Sequence, residues 1–379
     1  MKFFLTTIAA LTLALAPAPR AAAQGRTGHE RAIEKQAEEK QAEEQREESP
    51  IERSAAADKS VVVSVCVASG DVVVRGWDRA EVRARASEAA GLRLLTQPNV
   101  QPNVQPAQRQ PARRVEVLVS DERDAEPSSG ECGSAGTLEV TVPRGASVNV
   151  NARSGNVEVA DVADVRVSAL SGDVDVRRAS HGVEVSSLSG DVSLSDSSGP
   201  ARVTAVSGSI EARNVRASAA GDDFEAKSTS GDVTLEGVTH AQVRGVTVSG
   251  GVTYTGALAR GGDYDFSTIS GDVTLELPAS SSFSLHAKVV TGGDIVTDFP
   301  VKTSAATPPV PPTGPPTGAP PSPPVGAAGM PPQAPDWRKP GKHKPPKEPQ
   351  GTRLDGTVGT GDAVVNLSSF SGSLYLRKQ

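Results

Sequence analysis

One hexapeptide governs what this chain can fold into: Ser-Gly-Asp-Val-x-Val, which recurs with small changes along most of the sequence. Aligned on glycine it reads SGNVEV at Gly155, SGDVDV at Gly172, SGDVSL at Gly190, SGSIEA at Gly208, SGDVTL at Gly231, SGGVTY at Gly250 and SGDVTL at Gly271, with related units at Gly70 and Gly372. From Gly155 onward the spacings are 17, 18, 18, 23, 19 and 21 residues. Self-similarity at that period marks a solenoid, in which each coil rests on its neighbours and none folds alone.

The hexapeptide divides into a turn and a strand. Glycine enters positive φ at no steric cost, Ser and Asp side chains can bond local backbone N–H groups, and Val-x-Val restores extended geometry. Gly70, Gly155, Gly172, Gly190, Gly208, Gly231, Gly250, Gly271 and Gly372, with Asp71, Asp173, Asp191, Asp232 and Asp272, are therefore read as corner residues. Alternation sends Val157 with Val159, Val174 with Val176, Val192 with Leu194, Val233 with Leu235, and Val273 with Leu275 to one face, the expected core ladder. Upstream runs such as Val165 with Val167, Val183 with Val185, and Tyr264 with Phe266 give each coil a second strand. Leu170, Leu188, Val206, Val248 and Ile269 stand just before their Ser-Gly corners, and stacked coils are expected to bury a narrow column of Val and Leu. The fold class that follows is all-β: a single-chain, β-helix-like solenoid of short strands with about 18–21 residues per coil. An aromatic content of only 3 % agrees with thin β-layers rather than a large ring-filled core.

Around the repeats the chain changes character. Residues 1–23 carry Lys2, an apolar run from Phe3 to Leu15, and Ala21 and Ala23 at cleavage spacing, which reads as a secretory signal peptide. Residues 24–58 form a charged arm with no apolar stripe, disordered or transiently helical. The solenoid is expected over 59–302, with a polar insert near 96–112. Residues 303–353 are a Pro-rich flexible loop, because proline at that density cannot form a ladder, and 354–379 return to the pattern as a final coil. Export places Cys66 and Cys132 where a disulfide persists; two buried thiols are the alternative.

SGDVVVRGWDRAEV near the start, LEVTVPRGASVNVNARSGNVEVADV in the middle and the SGDVxV series together resemble the bacterial putative-adhesin family of β-strand-repeat proteins, a domain of unknown function. The resemblance covers most of residues 60–300 and again 354–376. It implies an exported or envelope-associated β-solenoid and brings no catalytic residues with it. The charged arm and the Pro-rich segment depart from the family pattern.

Little in the sequence speaks for chemistry. His29, His181, His240, His286 and His343 show no metal-ligand spacing. The recurring Asp residues suit turns better than calcium, since Asn156, Ser209 and Gly251 replace them in some units. No Gly-x-Ser-x-Gly elbow is present, and GTVGTGD at 356–362 lacks the lysine of a phosphate loop. Glu158, Asp175 and Glu211 occupy equivalent outward positions, which keeps a polysaccharide-active β-helix enzyme open as the alternative. A net charge of -6 does not predict nucleic-acid binding. Trp337, Arg338, Lys339, Lys342, His343, Lys344 and Lys347 form one basic cluster, a candidate contact for an anionic envelope polymer or a solubilising linker. The leading expectation is a non-enzymatic binding, adhesin-like or structural module. It needs no cofactor and has no transmembrane segment, lies in the periplasm, at the cell surface or outside the cell, and has an envelope polysaccharide or a surface protein as partner.

Overall fold

The computed structural model describes residues 50–89, 91–98, 111–121, 132–303 and 351–379. These residues form a β-solenoid of 26 strands, most of them in parallel pairs. The first section contains β1 (Ile51–Val67), β2 (Ser69–Trp77), β3 (Glu81–Ala86), β4 (Gly91–Pro98), β5 (Ala112–Ser120) and β6 (Ser134–Pro143). Regular coils follow, each an upstream strand and a downstream strand joined at the Ser-Gly corner. They are β7 (Ser147–Ser154) with β8 (Val157–Ala160), β9 (Asp164–Ser171) with β10 (Val174–Arg177), β11 (Gly182–Ser189) with β12 (Val192–Ser195), and β13 (Ala201–Ser207) with β14 (Ile210–Arg213). Next come β15 (Asp223–Ser230) with β16 (Val233–Glu236), β17 (Gln242–Ser249) with β18 (Val252–Thr255), and β19 (Asp263–Ser270) with β20 (Val273–Leu277). The last section holds β21 (Phe283–Thr291), β22 (Ile295–Thr297), β23 (Lys302–Thr303), β24 (Thr352–Val358), β25 (Val364–Ser371) and β26 (Leu374–Lys378).

Upstream strands stack on upstream strands to give a long-strand sheet, and downstream strands stack to give a short-strand sheet. The expected ladder from Val157 to Leu275 fills the space between them, together with Val165, Val167, Val183, Val185, Tyr264 and Phe266, all buried. The corner glycines have the positive φ that the hexapeptide requires, +112° at Gly172 and +146° at Gly231. Close approach is a second reason for glycine there: a Cβ on Gly172 would lie 2.1 Å from the Gly155 carbonyl oxygen of the coil below.

Two expectations about side chains need correction. The corner Asp residues bond between coils rather than locally. Asp173 accepts from the Asp191 N–H at 2.9 Å, Asp191 from the Ser209 N–H at 2.7 Å, and Asp232 from the Gly251 N–H at 2.7 Å. Leu170, Leu188, Val206, Val248 and Ile269 do not join the buried column; they are 39–53 % exposed, as is Phe370 at 52 %. The chain bends into its corner at this point, so alternation fails and two successive residues face outward. The third inward position of the strand is instead Ala or a hydroxyl, and Ser228, Thr247 and Thr268 each donate to the corner glycine carbonyl of the coil below at 2.9 Å.

The stack does not follow chain order at its ends. The coil of β5 and β6 lies on one side of β1 and β2, while β7 and β8 lie on the other. At the far end β25 pairs with both β19 and β21, and β26 with both β20 and β22, so the last coil in sequence is interposed between two earlier ones. Antiparallel strands close the long-strand sheet, β4 against β5 and β24 against β21, which protects edges that would template further pairing. Cys66 and Cys132 are joined in a disulfide, with Cα atoms 5.0 Å apart.

The boundaries also shift. Residues 51–58, expected in the charged arm, belong to β1, because Ile51–Ala56 finds an antiparallel partner in β3 and tertiary pairing outweighs weak strand propensity. Thr303, Thr352 and Arg353, expected in the Pro-rich loop, belong instead to β23 and β24, where Thr303 pairs with Gly356. Residues 1–23, read as a signal peptide, most of the expected arm, residues 99–110 of the insert and the basic cluster at Trp337–Lys347 lie outside the described residues.

Candidate functional site

Because each coil repeats the register of the last, outward residues line up as columns along the stack, with rungs about 4.8 Å apart. On the short-strand sheet one column reads Glu158, Asp175, Ser193, Glu211, Thr234, Thr253 and Thr274. Its next rung is Tyr375, placed beside Thr274 by the interposed coil. The column thus has an acidic half and a hydroxyl half, which is followed by the Tyr375 ring and then by Val296. A shallow depression of about 440 Å³ opens over the acidic half, lined by Asp175, Asp191, Ser193, Ser209, Glu211 and Thr234.

The three carboxylates singled out in the sequence do share this column, but Glu211 stands two rungs from Asp175. Each is met by an arginine. Arg177 bonds Asp175 through Nε at 2.9 Å and reaches Glu158 at 3.9 Å, while Arg213 pairs with Glu211. Four other carboxyl groups elsewhere have displaced titration, and every displacement is downward. Arg178 holds Asp161 down, Lys227 and Arg202 hold Glu225, Arg353 and His286 hold Asp355, and the Ala219 N–H with Ser218 holds Asp222.

The long-strand sheet carries a different column: Asn149, Arg166, Glu184, Arg202, Glu225, Arg244, Asp265 and Asn366. Charges alternate in sign from rung to rung. Arg166 bonds Glu184 at 2.8 Å, Arg202 bonds Glu225 at 2.8 Å, and Arg244 bonds Asp265 at 3.0 Å. Two shallow grooves of about 560 and 390 Å³ run beside it and meet at Arg202 and Asp223. Where this sheet turns its corner, the exposed Leu170, Leu188, Val206, Val248, Ile269 and Phe370 form an apolar ridge.

Of the histidines, His240 is fully buried, with Nε2 2.9 Å from the Gly199 carbonyl oxygen and no partner for Nδ1. Desolvation pushes its pKa below the usual histidine value. Among the described residues no group of three or more His, Cys, Asp or Glu side chains is arranged to hold a metal ion, and no helix is long and apolar enough to cross a membrane. The sequence reading missed both the ridge and Tyr375. The first depends on where a strand bends, and the second on a coil order that the repeat spacing does not encode.

A family model described as Toastrack DUF4097 matches residues 78–306, more than half of the chain. No curated protein matches the sequence. A solved structure described as a "putative cell adhesion protein" from Clostridium sporogenes ATCC 15579 is similar at 10 % identity and a TM-score of 0.23, covering 87 % of this chain and 100 % of that one.

Proposed function

The chain belongs to the Toastrack DUF4097 family, and from that premise we propose that it is an exported, non-enzymatic, adhesin-like binding module of the cell envelope. Its ligand is an extended, hydroxyl-rich polymer, an envelope polysaccharide, held along the short-strand face. The observation that carries this reading is the column from Glu158 to Tyr375, with hydroxyl and carboxylate groups at a constant rise and an aromatic ring on the rung after the last threonine. A polymer that repeats its hydroxyl groups can meet such a column at several rungs, and each contact adds to the avidity of the others. Tyr375 supplies an apolar surface for a sugar ring, with the Arg377 guanidinium 5.4 Å from its centroid. Export rests on the leader-like sequence of residues 1–23.

The arginine-paired carboxylates favour binding over hydrolysis. The test is a panel of immobilised envelope polysaccharides probed with the purified protein, with Thr253→Arg and Tyr375→Ala as face variants. Retention of at least one polymer, weakened about tenfold or more by either variant, is expected, since losing a well-placed contact costs about 1.4 kcal/mol or more. Binding indifferent to both variants would refute the face, and release of new reducing ends would refute the non-enzymatic reading.

A further inference from the structure

The long-strand face has a symmetry that its opposite lacks. Reversed end to end, its central column of Asn149, Arg166, Glu184, Arg202, Glu225, Arg244, Asp265 and Asn366 becomes its own complement. Arg166 meets Asp265, Glu184 meets Arg244, Arg202 meets Glu225, and asparagine meets asparagine at the ends. The reversal also brings the middle of the apolar ridge onto itself: Leu170 meets Ile269 and Leu188 meets Val248, while Val206 meets Thr229 and, at the ends, Phe370 meets Arg153. From this double complementarity we infer that the long-strand face is an interface with a second copy of this chain. The two solenoids lie face to face and antiparallel about a two-fold axis that passes between β13 and β15, parallel to the strands.

An isologous contact must satisfy every column at once. The column of Ser168, Ser186, Thr204, Lys227, Val246 and Ser267 brings Ser186 to Val246 and Thr204 to Lys227, with no like charges opposed. Within the eight strands from β7 to β25 the one like-charged meeting, Asp164 with Asp263, falls at the strand starts on the margin of the face, where solvent screens it; two rungs beyond those strands Glu116 falls opposite Asp355, which sets the limit of the contact. A two-fold parallel to the solenoid axis would instead lay the leucine ridge on the margin that carries Asp164, Asp223 and Asp263. The area is sufficient. Eight strands at about 4.8 Å spacing and eight residues at about 3.3 Å rise give roughly 900–1,000 Å², against about 800 Å² per partner in an ordinary stable interface. The ridge supplies the desolvation that paired surface charges alone do not, and the alternating charges fix the direction.

Sedimentation velocity on the full chain from about 1 to 100 μM tests this, an interval that covers ordinary micromolar association. A monomer–dimer equilibrium is expected, and Leu188→Glu should raise the dissociation constant at least tenfold while leaving the far-ultraviolet circular dichroism spectrum unchanged. Geometry is tested by mixing Ser186→Cys with Val246→Cys and adding a bifunctional maleimide with a spacer of about 8 Å. The mixture should cross-link and neither variant alone should, because the two positions are three strands, about 14 Å, apart in one copy. A single monomer at 100 μM overturns the proposal, as does a dimer indifferent to Leu188→Glu, or cross-linking by Ser186→Cys alone. A monomer whose long-strand face binds a polymer would also overturn it and assign that face to a ligand.

Discussion

Replacing Gly190 by alanine separates two demands that every corner makes on its glycine. Gly190 has φ +123°, and an added Cβ would lie 2.2 Å from the Gly172 carbonyl oxygen. The backbone region alone costs a non-glycine residue about 1–3 kcal/mol. Relieving the clash must separate two coils and stretch bonds that join the corner to its neighbours. These include the Gly172 N–H to the Ser189 carbonyl at 3.1 Å and the Asp191 N–H to Asp173 at 2.9 Å. At about 1 kcal/mol per bond, the total comes to roughly 3–5 kcal/mol. Gly221 provides the control: its φ is +101°, and a Cβ there meets nothing within 4 Å. Gly221→Ala should therefore cost only the backbone part. Urea denaturation followed by far-ultraviolet circular dichroism gives both values on the same protein. If the two substitutions agree within about 0.5 kcal/mol, the usual tolerance of additivity, close approach between coils is not what fixes glycine at the corner.

His240 is neutral in the fold because desolvation depresses its pKa, whereas the unfolded chain binds a proton near the ordinary value of about 6.5. Stability should therefore be unaffected by this group above pH 6.5 and should fall as pH drops below it, and thermal melts of His240→Gln should lack that decline. The depressed carboxyl groups of Asp161, Glu225 and Asp355 act in a lower window, below about pH 4, so the two effects separate in a pH series. Reducing the Cys66–Cys132 bridge, which closes a separation of 66 residues, should cost about 2–4 kcal/mol in the same denaturation assay; an unchanged midpoint would show that the first coils do not unfold with the rest. Truncation after residue 350 removes β24, β25 and β26 and strips β21 and β22 of their parallel neighbours. Limited proteolysis should then cut within 278–303, and protection of that stretch would refute the interposed order.

The repeat made most of the fold legible. Spacing gave the coil, and glycine with Val-x-Val gave corner and core, since those depend on residue type within a few positions. What escaped was set by partners distant in sequence. Asp173 and Asp191 could be placed at turns, but not in a ladder between coils, because a turn and a ladder need the same residue. Leu170 and Leu188 are apolar in a strand and read as core, yet one bend turns them outward. The carboxylate column was visible from the equivalence of Glu158, Asp175 and Glu211, whereas its arginine partners became apparent only with the register. Ile51–Ala56 carries no strand pattern of its own and is recruited by β3.

The interposed final coil has a consequence for how such a chain can be made and varied. During synthesis β21 and β22 emerge before the strands that must lie between them and β19 and β20, so the stack stays incomplete until the carboxyl-terminal residues are free. Contacts that span about a hundred residues close it, which makes completion slow relative to the zipping of the middle coils. Added or lost repeats can be absorbed only among the interchangeable coils between β7 and β18. The length of the array is thus adjustable at its centre and fixed at both ends.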